Sequence, residues 1–184
     1  SGEAGAQVDL ELAKKWSLKA SAANHPLGIY NLANLALLSG DFGKAATLYE
    51  DAQLRLARSA SAGDPVAQYA LGEIYFHVQP RDVRQAITYF ERSAAAGYPQ
   101  AQATLGALLL KGMPPVLAKD LPKGIQLLKQ ATEHQSMTGR YNLGMAYYNG
   151  DGVQKNNEIA ARWIRLAADQ NFTEAQFAFA HLLL

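Results

Sequence analysis

Five times in 184 residues the chain writes a bulky apolar residue followed by a small one inside an apolar and aromatic stretch. The pairs are Leu32-Ala33 in YNLANLALLSGD, Leu71-Gly72 in YALGEIYF, Leu105-Gly106 in ATLGALLLKG, Leu143-Gly144 in YNLGMAYYNGDG and Phe179-Ala180 in FAFAHLLL. Their small members follow one another at intervals of 39, 34, 38 and 36 residues. A period in the range of roughly 34 to 47 residues is the mark of stacked helical hairpins, in which one repeat buries its apolar side only against the next. A chain so written is constrained to an array before any other feature is weighed.

Local chemistry punctuates the same period. Nine residues before each small member stands Asn24, Gly63, Gly97, Gln135 or Asn171. Four of these are glycine or asparagine, the residues that tolerate the left-handed conformation closing a helix. Two residues further on, Pro26, Pro65 and Pro99 stand where a helix starts and a missing amide hydrogen costs nothing. The first helices of the repeats are therefore expected near 27–38, 65–77, 99–110, 138–148 and 173–184. The second helices carry a large residue shortly before a small pair: Trp16 before Ala20-Ser21, Tyr89 before Ala94-Ala95 and Trp163 before Ala167-Ala168, with Leu127 in the same slot of another copy. The large residue is expected to pack and the small ones to admit a neighbouring helix. In GDFGKAATLYEDAQLRLARSASAGD, Ala45, Tyr49 and Ala52 keep helical spacing and the pattern runs on to Gly63, so this second helix should be a turn or two longer than its siblings.

Composition excludes more than it assigns. Apolar residues make up 49% of the chain, enough for a substantial core, and 17 basic against 16 acidic residues leave a formal charge of +1 with no block of either sign. A nucleic-acid or membrane-surface footprint is absent from such a balance. No apolar run reaches the roughly 18 residues needed to span a bilayer, so direct membrane insertion is not expected. Cysteine is absent, which removes disulfides, thiolate metal sites and thiol nucleophiles together. The Gly-x-Ser-x-Gly, Ser-x-x-Lys and His-Glu-x-x-His patterns do not occur, and the Gly-Lys of SGDFGKA lacks the spacing of a phosphate loop. Among the four histidines, His77 and His181 lie three repeats apart, roughly 30 Å at ordinary helix spacing, too far to share a metal. YYNGDGVQKNNE puts Asn149, Asp151, Gly152 and Glu158 at positions of a calcium loop, but Tyr147 occupies the first ligand position and the same residues serve a tight interhelix turn. The residues therefore point to no enzyme chemistry, no cofactor and no metal.

AQYALGEIY, YNLGMAYYNGDGV and ARWIRLAADQNFTEAQ resemble the Sel-one-like repeat, a member of the tetratricopeptide-like superfamily. The resemblance covers nearly the whole chain and is strongest from residue 64; the copy at 138–171 fits best. The first copy departs, with Ala33 in place of glycine and GDFGKAATLYEDA closer to a plain tetratricopeptide repeat, and the third has Leu127 and the loop KGMPPVLAKDLP. The fold implied is all-α, a right-handed α-solenoid of antiparallel helix pairs. Its organisation would be one array: an incomplete leading helix at 1–25, repeats at 26–64, 65–98, 99–136 and 137–172, and an incomplete last repeat at 173–184. The implied function is a non-catalytic scaffold or adaptor for a protein or peptide ligand, and such proteins in bacteria are often exported or associated with the envelope.

In tetratricopeptide-like geometry, fixed positions around each small member face a groove lined by the first helices. The resemblance thereby selects Tyr30 and Asn34; Tyr69, Glu73, Phe76 and His77; Ala103, Ala107 and Lys111; Tyr141, Met145, Tyr148 and Asn149; and Phe177 and His181. The aromatics among them could anchor a ligand, or pack between repeats. Two other readings stay open. An accessory array of a larger enzyme or signalling protein would be recognised by a second domain, and a helical-repeat RNA binder by strongly salt-dependent nucleic-acid binding, which the near-neutral charge disfavours. The chain opens with a lone second-type helix around Trp16 and stops in a first-type helix ending Leu182, Leu183 and Leu184. A further helix after Leu184, or association through the ends, is the expectation from that apolar surface.

Overall fold

The computed structural model describes residues 2–23 and 25–183, with side chains described from residue 10 onward. Ten α-helices fill it: α1 (Gly2–Ala22), α2 (Pro26–Leu38), α3 (Phe42–Ser61), α4 (Pro65–His77), α5 (Val83–Ala95), α6 (Pro99–Lys111), α7 (Leu121–Glu133), α8 (Met137–Asn149), α9 (Asn157–Ala168) and α10 (Thr173–Leu182). No strand occurs among the described residues; one isolated bridge, Met113 to Leu117, organises the KGMPPVLAKDLP loop. Helices α2, α4, α6, α8 and α10 fall within two residues of the expected boundaries. Helix α3 has 20 residues where α5, α7 and α9 have 13, 13 and 12, the extension that the 39-residue interval requires.

Starts and stops are chemically explicit. Pro26, Pro65 and Pro99 occupy the first helical position of α2, α4 and α6. Side chains of Asp41, Asp64, Asp120, Ser136 and Asn156 accept the first-turn amides of α3, α4, α7, α8 and α9, satisfying donors that a helix leaves orphaned. Asp82 does the same for Gln85, and those hydrogen bonds hold its carboxyl below the usual aspartate range. The stops are left-handed as expected at Gly63 (φ 94°), Gly97 (φ 84°) and Asn171 (φ 63°); Asn24 lies outside the described residues. Gln135 also takes φ 58°, a conformation that is unfavourable by about 1–2 kcal/mol for a residue with a Cβ. Gln135→Gly should therefore stabilise the chain by about 0.5–1 kcal/mol after glycine's entropy is discounted, read as a higher urea midpoint.

Two compact units divide the chain at residues 86 and 87, within α5. In the first, α2 packs on α1 and α3, and α3 packs on α4. Gln53 bonds Tyr75 and Gln68 bonds the Ala60 carbonyl, so α3 and α4 run antiparallel. In the second, α6 packs on α7, α7 on α8, α8 on α9 and α9 on α10. The crossings are made by small residues. A Cβ at Gly106 would stand 2.9 Å from Cγ of Leu128, and one at Gly144 would stand 2.6 Å from Cγ1 of Ile164 and 3.1 Å from the Ala160 carbonyl oxygen. Gly72 is buried within α4.

In the first copy there is a close approach that the sequence does not suggest. Ala33 is fully buried, and a further tight contact lies at Gly28, five residues earlier, whose Cβ would strike the Ala20–Ser21 backbone of α1. Gly139 stands at the equivalent place in α8 and meets Ala131 of α7. Ala67, Ala101 and Ala175 hold that position in α4, α6 and α10 and are fully buried. Helix α8 thus touches both α7 and α9 through two small positions, Gly139 and Gly144, of which the Leu-Gly pair marks only one. Trp163 packs against the Ile125, Leu128, Leu143 and Ala146 cluster as expected. Trp16 does not pack: it is 59% exposed, with Lys19 Nζ 4.6 Å above its ring.

A further recurrence escaped the sequence. Gln68, Gln102 and Gln176, each just after one of those alanines, donate from Nε2 to the carbonyls of Ala60, Ala94 and Ala168. These carbonyls lie in the last turns of α3, α5 and α9, where each also accepts the amide of the left-handed residue that ends the helix, Gly63, Gly97 or Asn171. Each glutamine thereby ties one helix end to the start of the following helix.

Candidate partner-binding surface

Helices α6, α8 and α10 carry the first-helix positions of the second unit, and between α8 and α10 opens a cavity of about 720 Å³. Tyr141, Met145 and Tyr148 line one side, Phe177 and His181 the other. Fully buried Ile164 of α9 closes the base, and Glu174 and Leu182 complete the wall. The lining is mainly apolar. Tyr141 packs edge-on against Phe172 with ring centroids 5.5 Å apart, and with Met145 it covers the core of Ile164, Ala167 and Ala175. These two side chains thus have a packing role. Phe177 is 80% exposed, and Tyr148 is half-buried with Lys155 Nζ 5.5 Å from its ring centroid.

Met145 also lines a second, smaller depression of about 290 Å³, together with Lys111, Ala107, Asn142 and Asn149. Asn149 is steadied there by donating to the Asp151 carboxylate at 3.1 Å. Eight of the nine residues selected in this unit, Ala107, Lys111, Tyr141, Met145, Tyr148, Asn149, Phe177 and His181, therefore lie on two depressions that meet at Met145. Ala103, selected with them, is fully buried. Glu174, Asn142 and Asp151 were missed; they lie off the repeating positions and no periodic signal marks them.

In the first unit the selected residues form a polar-aromatic cluster. Tyr49 of α3, a buried residue not selected, donates its hydroxyl to Asn34 Oδ1 at 2.6 Å and meets Tyr30 edge-on at 6.3 Å. Burial, reinforced by the nearby Glu73, pushes the Tyr49 hydroxyl above the usual tyrosine range. On α4, Glu73 has His77 Nε2 at 3.9 Å and accepts a hydrogen bond from Tyr69, while Phe76 meets His77 edge-on at 4.9 Å. Burial raises the Glu73 carboxyl above the usual glutamate range against the opposing effects of His77 and Tyr69.

A carboxyl raised in the folded state binds protons more tightly there than in the unfolded chain. Its contribution to stability is therefore present below the ordinary glutamate value and is lost as pH rises through the folded value. Glu73→Gln should accordingly match wild type near about pH 4 and melt at a higher temperature near about pH 7.5, where wild type carries the buried charge. A constant difference across that range would show that the carboxyl does not sense its surroundings.

Among the described residues no group of three or more His, Cys, Asp or Glu is placed to hold a metal ion, and no helix is long and apolar enough to cross a membrane. His25, His77, His134 and His181 are all exposed.

A family model described as Sel1 repeat matches residues 1–25, 65–98, 99–136 and 139–172. Residues 26–64 and 173–184, which hold the two copies whose small member is alanine, lie outside the match. Solved structures of similar fold include a Sel1 repeat protein from Oxalobacter formigenes, 28% identical over 70% of this chain and 96% of that one, with a TM-score of 0.59. The cysteine rich protein B of Helicobacter pylori is similar in fold, at 18% identity over 71% of this chain and 93% of that one, with a TM-score of 0.54. With its glycine crossings, its left-handed helix stops and its all-α class of antiparallel pairs, the chain belongs to the Sel1 repeat family.

Proposed function

We propose that the chain is a non-catalytic protein-interaction scaffold that takes an apolar side chain of a partner's peptide segment into the depression between α8 and α10. Sel1 repeat proteins are generally protein-interaction scaffolds. The observation that carries the finer reading is the convergence at this depression of five side chains chosen by repeat position alone, Tyr141, Met145, Tyr148, Phe177 and His181, around a mainly apolar space. Burying one leucine-sized side chain there is worth about 1.5–3 kcal/mol, and the Glu174 and His181 rim leaves polar groups to orient the segment.

Panning a random peptide library against the full chain tests the reading. Selected peptides should share an apolar anchor, and their binding should shift the amide resonances of α8 and α10. Selection of peptides with no apolar residue in common, or of peptides that shift only α1 to α3, would overturn it.

A further inference from the structure

We propose that Glu73 and the tyrosines around it form a receptor for the guanidinium of an arginine in a partner protein. The proposal rests on the first-helix face as the partner surface, but the site lies in the first unit and is chemically unlike the apolar depression of the second.

Glu73 is held, not loose. Its side chain is only 23% exposed, it accepts a hydrogen bond from Tyr69, and His77 lies at 3.9 Å on its outer side with 62% of its own side chain in solvent. Tyr49, on which the Glu73 charge acts, is fixed to Asn34 at 2.6 Å, and Tyr30 packs edge-on against it. With Tyr49 donating to the Asn34 carbonyl oxygen, that amide's nitrogen is left to donate elsewhere.

The charges nearby leave the carboxylate under-compensated. Helix α2, PLGIYNLANLALL, carries no charged residue, and α4 carries only Glu73 and His77. On α3, Arg55 is paired with Asp51 at 2.9 Å and Lys44 and Arg58 are the other cations, while the charged group that acts on the Glu73 carboxyl is His77. Burial is the largest influence on the Glu73 carboxyl and outweighs what His77 and Tyr69 supply. A half-enclosed carboxylate flanked by tyrosine rings is complementary to one group above others. The guanidinium is planar and always charged, lies flat on aromatic faces, and donates in a fork that matches a carboxylate. It is also less strongly hydrated than an ammonium, so it enters a partly dry site more readily.

The test is a titration of the full chain with N-acetyl-arginine amide, with N-acetyl-citrulline amide as an uncharged isostere, following the Glu73 side-chain carboxyl carbon and the tyrosine ring resonances. Saturable shifts at Glu73, Tyr69 and Tyr49 are expected with the arginine compound, and binding about tenfold weaker with the citrulline compound. Glu73→Gln should weaken arginine binding about tenfold while the ring resonances keep their folded dispersion, and His77→Gln should stay within about twofold of wild type. Equal binding of the two compounds, unchanged binding in Glu73→Gln, or loss in His77→Gln alone would each overturn the proposal. Replacing Tyr148 and Phe177 leaves this titration untouched, so failure of the α8–α10 reading and failure of this one are separable.

Discussion

Replacing Gly144 with leucine lowers the stability of the chain by about 2–3 kcal/mol net. Even a Cβ at this position would sit 2.6 Å from Ile164 Cγ1 and 3.1 Å from both the Ala160 carbonyl oxygen and the Ile164 amide nitrogen. Two of those three atoms are backbone, so α9 itself has to move. The higher helix propensity of leucine returns only about 0.5–1 kcal/mol. Ile164 is fully buried and belongs to the cluster with Ala167 and Ala175, so the displacement reaches α10 as well. For a chain of this size the loss corresponds to a fall in Tm of about 4–12 °C in a thermal melt. A melt unchanged within error would show that α8 and α9 do not cross at Gly144.

Changing Tyr148 and Phe177 together to alanine weakens binding of a selected peptide by about 30-fold or more, while the far-ultraviolet circular dichroism stays at the wild-type level. The magnitude is that of two aromatic anchors losing roughly 2 kcal/mol between them. These two are chosen because they line the depression without closing the core. Phe177 is mostly in solvent, whereas Tyr141 is packed on Phe172 and Met145 on the Ile164 cluster. Tyr141→Ala should by contrast lower the melting temperature as well as the affinity. Retained affinity in the double variant would remove these rings from the partner surface.

The helices were legible because their ends are written locally. Gly63, Gly97 and Asn171 stop a helix by the conformation they tolerate, and Pro26, Pro65 and Pro99 start one by the hydrogen they lack. Neither needs the rest of the chain. Contacts between helices were legible only where a period exposed them. Gly144 was found through its repeat, whereas Gly28 was hidden because its position, facing the preceding helix, is alanine in α4, α6 and α10 and forms no glycine period. The glutamine ties at Gln68, Gln102 and Gln176 repeat as faithfully as the glycines, yet glutamine is an ordinary helix residue and gives no local sign that it will bond a carbonyl eight residues back. Trp16 shows the converse: an aromatic at the right position, exposed because packing is decided by neighbours and not by the residue.

The candidate surface follows the same division. Repeat position found the residues that project from α8 and α10, since side chains at fixed spacing share a helix face. It could not find the space between them, which depends on how far α10 stands from α8 over Ile164. Tyr49 was read only as a helical-period residue of α3. Its bond to Asn34 joins two helices and has no counterpart in a linear pattern.

A photoreactive benzoylphenylalanine placed at position 177 tests the central claim most directly. Irradiated with a peptide selected against the wild-type chain, it should crosslink to that peptide, and the crosslink should map to the peptide's apolar anchor. The same group at position 54, equally exposed on α3, should give none. Crosslinking from position 54 and not from 177 would contradict the assignment of the α8–α10 depression as the partner site.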